Sequence, residues 1–510
     1  MAIDTARAPN GAPVIDTEEG QVQGAVERHV FVFKGIPYAQ PPVGNLRWRP
    51  PRPVLPWKGI FKADAYGKSS LQSREGCISS AGGDPEALSE DCLYLNVWTP
   101  PHVALGSSAA KGAKLPVMVR IHGGAFLLGA GGLPPYNGAS VAARGAVIVT
   151  FNYRLGHLGN FAHPALDAEV SDGPANFALL DQMAALQWVQ RNIAQFGGDP
   201  HNVTIVGQSA GSRSVLALYV TELAKGLFHK GIAQSFYGLH EHTRAEALGR
   251  GIAFAKALGL PPGVTAADLR ALPAEAFWKL PSATFVAPVL TAGDSVLPMG
   301  IVEGFLAGKA HKLPLILGST SDDTSVIEAF GFAPARLVQL LRDQNIDLGV
   351  LYPNVTDERE LGRRVYLDFV FTRLPRQLAD VHSKHSPTWR YYFDYVMDRL
   401  RPEAPHGAPH GGDVPFVFDT GALIPEYSVI LTEKDRKFAF TVSEYWLEFA
   451  RTGKPAASAA PEWRAHENGA HGKRDCTLLL RDSIRCEENF RRDILDAFLR
   501  ASGVITLPPK

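Results

Sequence analysis

The sequence predicts an α/β fold in which a large, mostly parallel sheet carries helices on both faces. Two observations lead to this prediction: the strand-like segments are almost continuously apolar, and they alternate with helix-like segments. A strand with both faces buried is an uninterrupted run of residues such as Val and Ile, because neither face meets water. The alternation runs from about residue 115 to 450 without a clean boundary, which favours one large domain.

Each predicted element depends on a short pattern. Residues 115–121 and 146–153 are apolar runs that predict strands, and "LLDQMAALQWVQRNI" has apolar residues at three- and four-residue steps. That spacing predicts an amphipathic helix with one buried face. The strand "VTIVG" is followed, after two residues, by the helix "AGSRSVLALYV". Further strands are predicted at residues 230–236, 313–319 and 389–396.

Charge and hydropathy limit the classes of function. The 510 residues include 51 Lys and Arg and 51 Asp and Glu, so the net charge is zero and gives no reason to expect nucleic acid or an anionic membrane as partner. No apolar run is long enough to predict a membrane span. The first residues, "MAIDTARAPNGAPVIDTEEG", lack the apolar centre of a signal peptide. We therefore expect a cytoplasmic protein, or a periplasmic or secreted one whose leader has been removed.

The four cysteines, Cys77, Cys92, Cys476 and Cys486, have no C-x-x-C spacing. This argues against a structural zinc site. Two short-range disulfides, Cys77 with Cys92 and Cys476 with Cys486, are compatible with the sequence. Free thiols are equally compatible with it.

A Gly-x-Ser-x-Gly pentapeptide stands between a predicted strand and a predicted helix, with Ser209 at its centre. The pentapeptide alone is a weak signal, since a serine in a glycine-rich turn usually has no further role. Strand, turn and helix in direct succession predict a nucleophile elbow, in which a sharp turn presents the serine at the edge of a sheet. Side chains at Gly207 and Gly211 would collide with neighbouring elements in so tight a turn.

A nucleophilic serine also needs an oxyanion hole and a general base. The segment "RIHGGAF" follows the predicted strand 115–121, and its adjacent glycines allow backbone N–H groups to turn inward. We expect the oxyanion to be bound by the amides of Gly123, Gly124 and Ala210. The base should be a histidine oriented by a carboxylate, in the chain order Ser, acid, His.

Four long segments, spread over nearly the whole chain, carry a family resemblance: "FKGIPYAQPPVGNLRWRPP", "SEDCLYLNVWTP", "NFALLDQMAALQWVQRNIAQFGGDPHNVTIVGQSAGS" and "SEYWLEFARTGKP". In this order they resemble a bacterial-like type B carboxylesterase of the carboxylesterase/cholinesterase family. The resemblance implies the α/β-hydrolase fold, with residues 1–510 as a single large domain whose long insertions form the substrate gorge.

The resemblance also implies the other two members of a catalytic triad. The family's acid lies five residues after a glycine that ends a strand, which is Asp323 in "LPLILGSTSDDTS". The family usually has Glu at this position. The histidine matches in "GAPHGGDVPFVF", which selects His410. Asp322 and His406 are the neighbours most easily confused with this pair.

The implied function is a serine carboxylic-ester hydrolase that works through an acyl-enzyme on a small-molecule ester. It needs no metal and no organic cofactor. One alternative is an amide or carbamate hydrolase with the same triad, and a second is a catalytically silent binding protein of the same fold. The oligomeric state is left open.

Departures from the family pattern bear on the substrate. Gln208 stands where the family usually has Glu, and Gly82 stands where cholinesterases have a cation-binding Trp. Both changes favour a small to medium uncharged or anionic ester over choline esters. Arg213 could bind a substrate carboxylate or pair internally. Further candidates for substrate binding are Phe236, Tyr237 and His240.

Overall fold

The computed structural model of the protein describes residues 11–103, 105–106, 114–170, 173–277, 289–326, 333–469 and 472–502. Within these ranges, one mixed sheet of eleven strands forms the centre of the fold. In chain order the strands are β1 Val14–Thr17, β2 Gly20–Gln23, β3 Ala25–Glu27, β4 Val30–Pro37, β5 Ile60–Lys62, β6 Ser69–Ser70, β7 Leu88–Ser89, β8 Tyr94–Thr99, β9 Leu115–Ile121, β10 Val147–Phe151, β11 Gly198–Gln208, β12 Lys230–Gln234, β13 His242–Thr243, β14 Thr291–Ala292, β15 Leu315–Thr320, β16 Thr388–Phe393, β17 Glu467–Gly469, β18 Gly472–Arg474, β19 Cys476–Leu480 and β20 Arg485–Glu488.

The helices of the same ranges alternate with these strands. The α-helices are Arg74–Ser80, Ala139–Ala142, Gly156–Gly159, Pro164–Asp167, Phe177–Asn192, Ala210–Val220, Arg244–Ala257, Ala266–Ala271, Ile301–Leu306, Pro334–Asp343, Leu348–Leu351, Glu358–Tyr366, Arg373–His382, Val414–Val417, Pro425–Ser428, Glu433–Thr452 and Arg492–Ala501. Short 3₁₀ turns cover Gly44–Leu46, Pro134–Tyr136, Ile193–Phe196, Glu222–Ala224, Ala274–Phe277, Asp323–Val326, Asp398–Glu403 and Gly421–Leu423. A π-helix covers Leu367–Thr372.

The large sheet has the strand order β20-β19-β16-β15-β12-β11-β9-β10-β8-β4-β3. From β19 to β10 neighbouring strands are parallel, and at both edges they turn antiparallel. The predicted mostly parallel sheet is therefore confirmed, as are all of the predicted strands. Because the carboxyl ends of parallel strands meet at one edge, the loops after β9, β11 and β15 lie together there.

Alternate residues of the central strands pack on opposite faces of the sheet. In β9, Val117 and Val119 belong to a core with the helices Phe177–Asn192 and Ala210–Val220. Met118, which lies between the two valines, belongs to a second core with the helix Glu433–Thr452. Helices therefore cover both faces, and this explains why the strands are apolar at almost every position.

The helix Phe177–Asn192 differs from its prediction of one buried face. Its buried residues extend around most of its circumference and include Asp181 and Gln182. The carboxylate of Asp181 forms a two-armed pair with Arg154, with N–O distances of 2.8 and 2.7 Å. The Gln182 Nε2 donates to Ser214 Oγ at 3.0 Å. Partners of this kind are what allow polar side chains to be buried in a helix that the apolar spacing alone would leave half exposed.

The cysteines follow only one of the two possible pairings. Cys476 and Cys486 form a disulfide between the antiparallel strands β19 and β20. Cys77 and Cys92 are both buried and free. Of the helices in the described ranges, none combines the length and the apolar character that crossing a membrane requires.

Candidate active site

The turn after β11 has the sharp geometry predicted for Ser209. This residue has φ 58° and ψ −123°, a strained conformation for a side chain other than glycine. A methyl group on Gly207 would lie 2.2 Å from the carbonyl oxygen of Gly211, and one on Gly211 would lie 2.2 Å from that of Ile121. Both positions therefore require glycine, because the turn folds back on Gly207 and the end of β9 passes directly against Gly211.

His410 and Asp323 are brought together from loops 87 residues apart in the chain, with 2.6 Å between His410 Nδ1 and Asp323 Oδ1. Asp323 is fully buried, and its Oδ2 accepts the backbone N–H of Thr320 at 2.8 Å. Because a carboxylate can only accept, Nδ1 carries the hydrogen and Nε2 is left with a free lone pair. Nε2 is buried and has no hydrogen-bond partner among the described residues.

The neighbours of Ser209 and His410 are in contact. A methyl group on Gly411 would lie 3.5 Å from Gln208 Nε2. The loop that carries the histidine is thus packed against the strand end that carries the serine. No hydrogen bond joins Ser209 to His410 within the described part of the chain. In free enzymes such bonds are often long, and they shorten when substrate binds.

Asp322 and His406, the two competing residues, lie in a separate cluster. Asp322 Oδ1 accepts from Arg363 Nη1 at 3.0 Å, and burial raises the pKa of this carboxyl. His406 is about half exposed, and its Nδ1 lies 3.6 Å from Glu360 Oε2. The structure therefore pairs His410 with Asp323 and directs Asp322 toward an arginine.

The loop after β9 is held by His122, a residue to which sequence reasoning assigned no role. Its Nδ1 lies 2.9 Å from the carbonyl oxygen of Gly123 and must donate to it, and its ring stacks on Tyr153 with 4.3 Å between ring centroids. Burial lowers the pKa of His122 to about 4, so the ring is neutral at physiological pH. The only sequence signal was its position directly before the paired glycines.

The same loop presents backbone amides beside Ser209. Three residues in a row have positive φ: Gly124 at 102°, Ala125 at 55° and Phe126 at 59°. Successive amides in such a turn form a concave anion-binding surface. Within the described ranges, the amides of Gly124, Ala125 and Ala210 donate to no other group.

Gly123 is placed differently from Gly124 and Ala125. A methyl group on it would lie 3.2 Å from Ser209 Cβ, so the loop touches the serine. The Gly123 backbone also contacts the Tyr136 phenol. Burial raises the pKa of Tyr136, whereas Arg120 and the bond to the Gly123 backbone lower it. Sequence reasoning missed Ala125, because nothing in an alanine signals positive φ.

Asp413 connects the histidine loop to the strand beside Ser209. This buried carboxylate accepts from Gln234 Nε2 and from the Tyr391 hydroxyl, both at 2.7 Å. The backbone carbonyl oxygen of Gln234 in turn accepts the backbone N–H of Ser209 at 2.9 Å. Burial raises the pKa of Asp413, and the two hydrogen bonds oppose that rise. The signal in the sequence was the acidic residue of "HGGD".

Comparison with known proteins gives the family. The model of the carboxylesterase family matches residues 11–351 and 356–475. This chain belongs to the carboxylesterase family. The Bacillus subtilis para-nitrobenzyl esterase is 35% identical over 504 residues, which cover 93% of this chain and 96% of that protein. The fumonisin B1 esterase of Sphingopyxis macrogoltabida is 34% identical over 485 residues, covering 88% of this chain and 84% of that protein.

Solved structures agree with this assignment. The carboxylesterase of Geobacillus stearothermophilus superposes with a TM-score of 0.80 at 31% identity, over 95% of this chain and 99% of that one. The α/β-hydrolase fold and the serine esterase class predicted from the motifs are confirmed. No group of three or more His, Cys, Asp or Glu side chains in the described ranges is arranged to hold a metal ion.

Arg213 pairs internally in this carboxylesterase. Its guanidinium is fully buried, forms an ion pair with Glu241, and donates to the carbonyl oxygens of Tyr237 at 3.0 Å and Leu239 at 2.7 Å. The rings of Phe236 and Tyr237 lie over the guanidinium, 5.8 and 5.1 Å from their centroids. This is the internal pairing that the sequence left open, and it leaves the arginine no free charge for a substrate carboxylate.

The other four candidates for substrate binding differ in exposure and in position. Phe236 and Tyr237 are 1% and 3% exposed and pack on Arg213. His240 is exposed. Gln208 is 6% exposed, lies beside Ser209, and its Nε2 has no partner in the part of the chain described. Of these four residues, Gln208 is the one that adjoins Ser209 in the chain and packs beside the loop of His410. It is therefore the best placed of the four to meet a substrate.

The Arg213–Glu241 pair gives a first prediction. We expect Arg213→Met to lower the free energy of unfolding by about 3–5 kcal/mol, because the buried Glu241 loses its partner. We also expect kcat/KM on neutral and on carboxylate-bearing esters to fall by the same factor. Urea unfolding and paired kinetics measure this, with the double variant Arg213→Met/Glu241→Gln expected to recover part of the stability. A selective loss on the anionic ester would restore a substrate-binding role for Arg213.

His122 gives a second prediction, about pH. Its pKa is about 4 in the folded state and 6.5 in the unfolded state, so between these values only the unfolded state binds the proton. The free energy of unfolding therefore decreases as pH falls through this window. In His122→Gln this decrease should be smaller by on the order of 3 kcal/mol. Urea unfolding of both proteins between pH 4 and 6.5 measures this difference. The control variant His385→Gln, at an exposed histidine, should keep the pH dependence of the unmodified protein. An unchanged slope would refute the buried neutral ring.

Proposed function

We propose that Ser209 is the nucleophile, His410 the general base and Asp323 the carboxylate that orients it. The observation that carries this proposal is the 2.6 Å contact between His410 Nδ1 and Asp323 Oδ1. That contact sets the tautomer in which Nε2 is an acceptor, as proton abstraction from a serine requires. The strained turn at Ser209 supports the nucleophile assignment, since it is the geometry that a nucleophile elbow gives its serine.

The proposed reaction has two halves. In the first, Ser209 Oγ forms a bond to the ester carbonyl carbon while its proton passes to His410 Nε2. The tetrahedral intermediate then collapses, the bond to the alcohol oxygen breaks, and His410 returns the proton to that oxygen. In the second half a water molecule attacks the acyl-enzyme with the same proton transfers. The carboxylic acid leaves and free Ser209 is regenerated.

The negative charge on the tetrahedral intermediate needs preorganised donors. The motif predicts the amides of Gly123, Gly124 and Ala210; we propose Gly124 and Ala210 together with Ala125 as the principal donors, because the Gly123 backbone is bonded to the Tyr136 phenol. The support for Ala125 is its φ of 55° next to Gly124 at 102°, which directs successive amides to one side of the loop. His122 supports this loop through its bond to the Gly123 carbonyl oxygen. Because its ring is neutral, it adds no positive charge beside the amides.

We propose that the substrates are small to medium esters that are uncharged or anionic. Gln208 places a neutral amide beside the nucleophile, so this position does not attract a cation. The charge of Arg213 is balanced by Glu241, so it does not recruit an anion either. A choline ester would meet neither a carboxylate nor an aromatic ring at the two positions where the family and the cholinesterases have them, because Gln208 and Gly82 stand there.

We also propose that the chain acts as one domain, 1–510, with insertions that form the substrate gorge. In support, strands from β3 near the start of the described chain to β20 near its end join one sheet. A separate domain would be expected to have a core of its own. Parts of the chain that would belong to the gorge, residues 278–288 and 327–332, lie outside the described residues.

Ser209→Ala tests the proposed function directly. We expect kcat on a short-chain p-nitrophenyl ester to fall by about 10⁴-fold or more, because no other group can form the acyl-enzyme. The urea unfolding midpoint of Ser209→Ala should stay close to that of the unmodified protein. The control variant Ser79→Ala, at an exposed serine, should keep the activity of the unmodified protein. Wild-type turnover by Ser209→Ala would show that this serine is not the nucleophile.

Adjacent aspartates allow a matched test of the acid. Asp323→Asn should lower kcat by about 10³–10⁴-fold, because an amide can donate to Nδ1 and would stabilise the wrong tautomer of His410. Asp322→Asn should lower it by less than about tenfold, since Asp322 pairs with Arg363. Steady-state kinetics on both variants decide the assignment. The reverse ranking would make Asp322 the orienting residue.

A further inference from the structure

A π-helix interrupts the helical segment that runs past the candidate triad. Leu367–Thr372 lies between the α-helices Glu358–Tyr366 and Arg373–His382. The backbone N–H of Arg373 donates to the carbonyl oxygen of Asp368, five residues earlier instead of four. Such turns are rare in proteins, because one extra residue is accommodated at a cost in backbone geometry. Where they occur, they are often found at functional sites.

This π-helix packs against the proposed general base. Phe371 is 2% exposed, and its ring centroid lies 5.7 Å from that of His410. The carbonyl oxygen of Val370 accepts the N–H of Gly238 at 3.2 Å, which ties the π-helix to the segment after β12. Phe371 also lies 6.3 Å from the ring of Tyr237. The placement of this phenylalanine therefore limits where the imidazole can move.

The π-helix is held in place by a buried carboxylate. Asp368 is fully buried, its Oδ1 accepts from Arg491 Nη1 at 2.5 Å, and its Oδ2 accepts from the Tyr352 hydroxyl at 2.8 Å. A buried carboxylate without partners would be strongly unfavourable, so these contacts fix where Asp368 lies. The guanidinium of Arg491 also lies 5.3 Å from the Tyr392 ring.

The arginine that completes this contact comes from the far end of the chain. Arg491 directly precedes the helix Arg492–Ala501, and it adopts a left-handed φ of 52°. That helix packs on the π-helix through Phe498, whose ring lies 5.6 Å from Phe369. Contacts therefore run continuously from this last described helix through Asp368 to Phe371 and His410.

We propose that the Asp368–Arg491 pair is a positioning device for His410. It keeps the extra residue of the π-helix in register and thereby keeps Phe371 against the imidazole. A helix advances by about 100° per residue, so a return to regular α-helical register would rotate Phe371 away from the histidine. The inference rests on the proposed role of His410 as general base. Asp368 and Arg491 touch neither substrate nor reacting atoms and act through Phe371.

The test starts with Arg491→Met, compared with Arg491→Lys and with Arg492→Met. We expect Arg491→Met to lower kcat about tenfold and to change KM less than about twofold, because the base is displaced while substrate binding is kept. Arg491→Lys should recover most of kcat, since only one nitrogen of Arg491 contacts Asp368. Arg492→Met, at an exposed neighbouring arginine, should leave kcat unchanged. Unchanged kcat in folded Arg491→Met would overturn the proposal, and so would equal losses in Arg491→Lys and Arg491→Met.

A double-mutant cycle separates positioning from general destabilisation. Phe371→Leu should lower kcat, and adding Arg491→Met to it should lower kcat little further, because both changes act on the same contact. Fully multiplicative effects would overturn the proposal. If Arg491→Met does not fold, Tyr352→Phe removes the second donor to Asp368 without leaving an unpaired charge. It should lower kcat in the same direction by a smaller factor, and an unchanged kcat would again overturn the proposal.

Ser209→Ala, measured beside these variants, distinguishes the two levels of inference. An active Ser209→Ala would remove the proposed function itself. An inactive Ser209→Ala together with a fully active, folded Arg491→Met would leave the proposed function standing and overturn only the positioning role of the Asp368–Arg491 pair.

Discussion

The close approach of two backbones at the end of the sheet is the constraint on which the site depends. The turn after β11 and the end of β9 leave no space for a side chain at Gly207 or Gly211. Because the turn is so tight, Ser209 is held in a strained conformation at the sheet edge. The same close approach brings the loop of paired glycines against Ser209. The contact between the turn and the end of β9 therefore positions both the nucleophile and the candidate oxyanion donors.

Around this turn, paired charges and hydrogen-bonded carboxylates hold the loops in place. Arg154 with Asp181, Arg213 with Glu241 and Arg491 with Asp368 each join segments far apart in the chain. A buried ion pair adds little net stability, but breaking one is costly, so such pairs select one arrangement over others. The consequence for the active site is that Arg213, four residues after the nucleophile, already has Glu241 as its partner.

Much of the fold and part of the site could be predicted, because their signals are local. A strand buried on both faces leaves a run of apolar residues, and an elbow leaves glycines at fixed spacing around a serine. The pairing of Arg213 with Glu241 left no such trace, since 28 residues separate the partners. Ala125 and the π-helix were missed for a related reason: both are backbone conformations imposed by surrounding contacts.

The sequence by itself determined the parallel centre of the sheet, the esterase family and a short set of candidates for each chemical role. Only the tertiary structure decided which aspartate faces which histidine, which two cysteines are bonded, and which polar groups are already used. The physical reason is distance along the chain. Local patterns record what each segment buries, whereas the chemistry of this site depends on contacts made only after the segments have packed together.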